Sequence, residues 1–113
     1  MSKIINIASA TTTTLLTSTD YSVYSATNKR GSNNATVSRI IVANTSANTA
    51  TITIEVYETG DDNTSFTVIR SLDIPPEVSF VWDEVFSFNV ATHNLRIINS
   101  VSGGSATLTV IIN

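Results

Sequence analysis

The sequence contains no cysteine. Neither a disulfide framework nor a thiolate metal site can be built, so the protein must be held by its core or its neighbours. Charge is also scarce. Asp, Glu, Lys and Arg make up 13% of the 113 residues, about half the globular norm of ~25%. Nine acidic and six basic residues leave a net charge of −3. A duplex-binding module needs a basic face, because phosphate neutralisation supplies most of its affinity. Six scattered cations do not make one, and no nucleic-acid partner is expected. No apolar run approaches the ~18 residues that span a bilayer, so no membrane partner is expected. The opening Met1-Ser2-Lys3-Ile4-Ile5-Asn6-Ile7 is too short an apolar run for a signal peptide. The chain is expected to be made in a cytoplasm and not exported by the general secretory route.

Small polar and β-branched residues fill the space that charge leaves. There are 18 Thr, 15 Ser and 11 Asn, and Ile, Val and Thr together number 42. β-Branched side chains lose χ1 freedom in a helix and pack well on a pleated surface. The composition therefore predicts an all-β protein, and the length predicts one domain over residues 1–113.

Period-two alternation locates the strands. In Thr51–Tyr57, Ile52, Ile54 and Val56 share one face. In the last segment Ala106, Leu108, Val110 and Ile112 do the same. These residues are expected to form the core. Further strands are expected at Val37–Ala43, apolar on both faces near its end, and at Asn94–Val101, with Leu95, Ile97 and Val101 together and Arg96 outward. Phe66–Leu72 is read with Phe66, Val68 and Leu72 on one face, and Val78–Trp82 with Val78, Phe80 and Trp82 together. Tyr21–Ser25 is a further strand, and Thr11–Thr14 running into Leu15-Leu16 is a strand start. Turn chemistry separates them. Asn28–Asn34 reads as a loop, Asn44–Asn48 as a tight hairpin connection and Gly60–Asn63 as a hairpin tip. Pro75-Pro76 should stop pairing, and Gly103-Gly104 should form the last turn. Short strands at this spacing suggest a sandwich or barrel.

Candidate chemistry is sparse. His93, the sole histidine, would have to serve any Ser-His-Asp triad, but it lies in a loop position before a strand. One histidine and no cysteine leave structural zinc without ligands. Asp83 and Glu84 are neighbours on an extended chain and face opposite sides, so they cannot flank one glycosidic bond. Gly60-Asp61-Asp62-Asn63 lacks the spacing of a calcium loop. Trp82, Phe80, Phe86 and Phe88 are read as core aromatics. The sequons at Asn34, Asn44 and Asn63 follow from composition. No catalytic residue, metal or cofactor is expected. The residues expected to meet partners are Ile4, Ile5 and Ile7, on a possible N-terminal arm of residues 1–10, and the paired cations Lys29 and Arg30.

The order of these segments resembles small virion proteins of tailed, notably marine, bacteriophages. It is carried by the Thr-rich start with Leu15-Leu16, Tyr21-Ser22-Val23-Tyr24, Val37–Asn44, Thr51–Tyr57, Leu72-Asp73-Ile74-Pro75-Pro76, Phe80-Val81-Trp82 and Leu95-Arg96-Ile97. The resemblance covers residues 11–113 and brings no catalytic motif. It implies an antiparallel β-sandwich, jelly-roll-like or immunoglobulin-like, that assembles on a capsid, neck or tail. The resemblance leaves the position in the virion open; the role expected first is a capsid decoration (cement) protein, with the major capsid protein or neck and tail proteins as partners. A neck or tail accessory protein and a receptor- or carbohydrate-binding module of a tail fibre are the alternatives. The protein has two lysines, Lys3 and Lys29. Sheet edges without guarding lysines invite pairing, so a homo-oligomer, taken as a trimer by resemblance, or the shell that hosts the protein is expected to cover them.

Overall fold

The computed structural model describes residues 3–8, 11–16, 34–58, 60, 64–90, 92–100 and 106–113. They form strands β1 (Lys3–Ile7), β2 (Thr11–Leu16), β3 (Asn34–Val37), β4 (Ile40–Asn44) and β5 (Ala50–Glu58). These are followed by β6 (Thr64–Ile74), β7 (Ser79–Trp82), β8 (Phe86–Asn89), β9 (His93–Ser100) and β10 (Leu108–Ile112). The expectations for Tyr21–Ser25, the 28–34 loop before Asn34, Asp61–Asn63 and Gly103-Gly104 lie outside the described residues.

The pairing is nested. β1 pairs with β10, β2 with β9, β3 with β8, β4 with β7 and β5 with β6, all antiparallel. The chain is thus one long hairpin, and rolling it up adds two further pairings, β10 with β4 and β9 with β5. The result is two four-stranded sheets, β1-β10-β4-β7 and β2-β9-β5-β6, and a two-stranded piece, β3-β8. This is a jelly roll, the double-sheet way of closing antiparallel strands. An immunoglobulin sandwich sets its first two strands side by side in one sheet, whereas β1 and β2 lie in opposite sheets. The topology therefore decides between the two expected sandwich types.

The core lies between the sheets and takes side chains from both. Ile7, Ile40, Val42, Leu108 and Val110 from the first sheet meet Leu15, Ile52, Ile54, Val56, Leu95 and Ile97 from the second. Alternation predicts Ile52, Ile54, Val56, Leu108 and Val110 to be core, and all five are buried. Each fully buried Ile or Leu contributes about 2–3 kcal/mol of transfer free energy.

Three local readings are corrected. Val37–Ala43 is not one strand. β3 ends at Val37 and β4 begins at Ile40, and the intervening Ser38 and Arg39 donate backbone N–H to the Asn113 carbonyl at 2.7 and 3.3 Å. The break moves the chain from β8 to the first sheet. Asn44–Asn48 is not a hairpin, because β4 and β5 belong to opposite sheets; it is a corner between layers. In β6 the buried residues are Ile69 and Ile74, while Phe66 is exposed. Parity fails there because β6 bulges against β5 on either side of Ile54, with Ser71 at φ 52°. The Thr53 hydroxyl accepts the Ser71 N–H at 3.1 Å and fills the gap in the ladder.

Turn signals hold elsewhere. Pairing of β6 stops at Ile74, before Pro75-Pro76, and Gly60 takes φ 83° between the paired strands β5 and β6. The outer strands carry guards of their own. The long edge strand β6 is interrupted by its bulges and bears exposed Arg70, and β7 is only four residues long. Lys3 on β1 donates from Nζ to the Leu15 carbonyl at 2.9 Å, joining the edges of the two sheets. Bulges, short edges and edge lysines all discourage unwanted strand pairing.

Candidate interaction surfaces

Four corners where the chain crosses between layers lie at one end of the sandwich: β1 to β2, β4 to β5, β6 to β7 and β9 to β10. Two buried asparagines tie them together. Asn44, 2% exposed, donates from Nδ2 to the carbonyls of Asn48 at 2.8 Å, Ile74 at 2.9 Å and Pro75 at 3.2 Å. Its Oδ1 accepts the N–H and hydroxyl of Ser46 at 3.1 and 2.7 Å. Asn99, fully buried, donates from Nδ2 to the carbonyls of Ala8 at 3.2 Å and Ala106 at 2.9 Å. Corner carbonyls have no ladder partner, and a buried carbonyl without a donor is costly. The asparagines supply that donor across corners distant in sequence. Beside them runs a shallow groove of about 310 Å³ lined by Asn6, Ile7, Ala8, Thr45, Thr107, Leu108 and Thr109.

The outer face of the second sheet is polar and internally bonded. Arg96 on β9 stands opposite Glu55 on β5, and its Nε donates to Glu55 Oε1 at 2.6 Å. The guanidinium lies over the Tyr57 ring, 4.3 Å from its centre. The Tyr57 hydroxyl bonds Thr14 at 3.1 Å and accepts from Asn94 Nδ2 at 3.4 Å. Glu55 is only 8% exposed although it points away from the core, because these neighbours cover it. Further along, Thr51 donates to Asp73 Oδ1 at 2.7 Å. The Arg96–Glu55, Asn94–Tyr57 and Thr51–Asp73 bonds each join adjacent strands, and Thr14–Tyr57 reaches from β2 to β5 across β9, so side-chain bonds reinforce the backbone ladder and link all four strands.

The first sheet is different. Register carries Ile4 to Ile111, Ile111 to Ile41 and Ile41 to Val81. These four side chains form a row across the whole outer face. The row behind, Ile5, Val110, Val42 and Phe80, faces the core. The sheet is thus apolar on both sides at this level. Ile4 is 67% and Val81 50% exposed. One flank is the row Asn6, Thr109, Ala43 and Ser79, in which Thr109 donates to Asn6 Oδ1 at 3.1 Å. The other carries the Arg39–Asp83 ion pair, 3.5 Å apart and solvent-exposed.

The structure separates the residues expected to meet partners. Ile4, Ile5 and Ile7 lie on β1, paired with β10 of the same chain. Ile7 is buried core and Ile5 packs against it, while Ile4 points outward. Lys29 and Arg30 lie outside the described residues. His93 opens β9, its Nδ1 2.7 Å from the Thr92 hydroxyl. Asp83 and Glu84 are exposed after β7. Phe88 is buried, Phe80 and Trp82 pack on the core, and Phe86 stacks on Phe88 at 6.4 Å while meeting Phe66 edge-on at 6.3 Å. Among the described residues no three His, Asp or Glu gather as metal ligands, and no helix is long and apolar enough to cross a membrane. The asparagines and the Glu55–Arg96 pair escaped the sequence reading. Asn44 and Asn99 carry a signal in retrospect: each shares the parity of the buried residues of its strand, a polar group at an inward position.

No family model matches the chain, and no curated protein does. Solved structures give distant likenesses. One is a chain of the disulfide-linked pili that form Bacillus endospore appendages, at 13% identity and TM-score 0.45, covering 99% of this chain and 84% of that one. Others come from infectious bursal disease virus. The T13 particle gives 10% identity and TM-score 0.44, covering 99% of this chain and 26% of that one. The Gx strain gives 14% and 0.42, with 99% and 33% covered. This chain thus spans a quarter to a third of those viral chains. At this depth of likeness neither activity nor partner passes from one protein to another.

Proposed function

We propose that this chain is a non-enzymatic structural protein of a bacteriophage virion, a decoration (cement) protein that bridges neighbouring major capsid subunits. The observation that carries this reading is where the polar side chains spend their hydrogen bonds. Asn44 and Asn99 tie corner to corner, and Thr14, Tyr57, Glu55, Arg96, Thr51 and Asp73 tie strand to strand. Such bonding stiffens the sandwich against shear between its strands. A shell component under outward pressure from packaged DNA needs that property. The order of the strand segments, which resembles small phage virion proteins, supports the same reading.

In this role residues 1–113 act as one sandwich domain. Ile4 and the cations Lys29 and Arg30 supply contacts to neighbours, while Ile5 and Ile7 hold β1 in place. The chain would work without cofactor or metal, in the virion, after synthesis in the host cytoplasm. The test is its copy number in purified particles of the phage that encodes it. A copy number comparable with that of the major capsid protein is expected. A few copies in multiples of a ring symmetry would assign it instead to the neck or tail. Absence from the particle would remove the virion reading.

A further inference from the structure

We infer that the outer face of the first sheet is a contact between two copies of this chain, packed sheet on sheet about a two-fold axis. The contact involves this protein alone and does not depend on a virion role. It rests on the row Ile4–Ile111–Ile41–Val81, set by the registers of β1, β10, β4 and β7. An apolar row running across every strand of a sheet has the form of a core layer. Here it repeats the row Ile5–Val110–Val42–Phe80 directly behind it, which packs into the protein's own core. Sheets stack face to face at about 10 Å through interdigitated side chains of this kind. The outward row presents three isoleucines and a valine, stiff at χ1, so little side-chain freedom is lost when they are covered.

The chemistry of the rim selects a second copy. A partner of opposite charge would be met by a charged rim, but among the described residues the two flanking rows carry no unpaired charge. Arg39 and Asp83 pair with each other, and Asn6 bonds Thr109. A second copy approaches such a face without like-charge repulsion. With the axis parallel to the strands and between β10 and β4, Ile4 meets the partner's Val81 and Ile111 meets the partner's Ile41. Apolar then covers apolar along the whole row, as an isologous contact requires.

Size sets the strength. Four strands spaced ~4.8 Å and five residues rising ~3.4 Å each cover about 19 by 17 Å. With side-chain relief and the rim this is roughly 400–500 Å² per copy, against ~800 Å² for a standard interface. The contact belongs to the weak class, formed at high local concentration and open in dilute solution.

Sedimentation equilibrium of the purified full chain, from about 10 μM to about 1 mM, tests this. Weight-average mass should rise toward that of a dimer across this range. Ile111→Asp and, independently, the edge substitution Val81→Glu should each weaken association at least about tenfold. Thr12→Asp, on the outer face of the second sheet, should leave it unchanged. Each variant is first checked for a cooperative melt, and Val81→Glu carries the test if Ile111→Asp does not fold. A monomer throughout the range overturns the inference. A trimer overturns it as well, as does a dimer indifferent to both Ile111→Asp and Val81→Glu.

Discussion

Glu55 and Arg96 stand directly opposite each other on the two central strands of the second sheet, joined by a 2.6 Å hydrogen bond beneath the cover of Tyr57 and Thr14. The pair faces away from the core yet is largely shielded from water. Removing one partner leaves the other charge shielded and uncompensated, the expensive half of a buried ion pair. Arg96→Ala is expected to cost about 3 kcal/mol in urea unfolding. The double variant Glu55→Leu, Arg96→Met should cost clearly less than the sum of the single substitutions. Additive losses would show that the two side chains act separately.

Asn44 should be among the most sensitive polar positions. Asn44→Ala removes the donor shared by the carbonyls of Ile74, Asn48 and Pro75, and the acceptor used by Ser46. Orphaned buried carbonyls cost about 1–3 kcal/mol each. A loss of about 3 kcal/mol is expected, readable as a lower urea midpoint. Asn44→Asp should fare no better, since a carboxylate cannot donate to those carbonyls. Unchanged stability in both variants would show that water satisfies the corner equally well.

Ile54 tests the register of the core. Ile54→Val, which deletes one methylene from a fully buried side chain, should cost about 1 kcal/mol. Ile54→Asp should abolish cooperative folding, because an unpaired carboxylate would lie between the sheets. A soluble Ile54→Asp protein with a sharp melt would refute the placement of this face.

Backbone strain offers a gain. Ser71 and Glu77 hold φ of 52° and 61°, a region that costs a residue with a Cβ roughly 1 kcal/mol. Both side chains are exposed. Ser71→Gly and Glu77→Gly should each raise stability by about 0.5 kcal/mol, net of the added freedom of the unfolded chain. A calorimetric Tm that falls in both variants would show that the side chains contribute more than the strain removes.

The first strand gives a further test. Ile7 is buried, so Ile7→Ala should cost about 2–4 kcal/mol, while Ile4→Ala, on the outer face, should change stability by less than about 0.5 kcal/mol. Equal losses would mean that β1 sits on β10 in another register.

How much of this was legible in the sequence depends on the range of the forces involved. Strands β5, β9 and β10 could be read because one side of each is buried, and burial imposes alternation on the residues themselves. β6 could not, because its bulges shift parity within the strand. The break at Ser38-Arg39 was hidden by Ile40-Ile41-Val42, where both faces are apolar and alternation carries no direction. The corner at Asn44–Asn48 has the residues of a hairpin turn. Only the choice of partner strand, made far away in sequence, turns it into a crossing between layers. The asparagine ties and the Glu55–Arg96 pair depend wholly on such distant pairing, and so does the unbroken row on the first sheet.

The nested order of pairing also governs how the protein can be made. β4 needs β10 on one side and β5 needs β9, yet of these ten strands β9 and β10 are the last to leave the ribosome. Until then only β5 with β6, β4 with β7 and β3 with β8 can form, with Ile52, Ile54 and Val42 short of their full cover. Long-range strand pairing of this kind is slow. The apolar strands must therefore wait, partly uncovered, until β9 and β10 have been made. Any truncation that removes β10 strips β1 and β4 of their shared neighbour and leaves a nascent-like chain for chaperones and proteases.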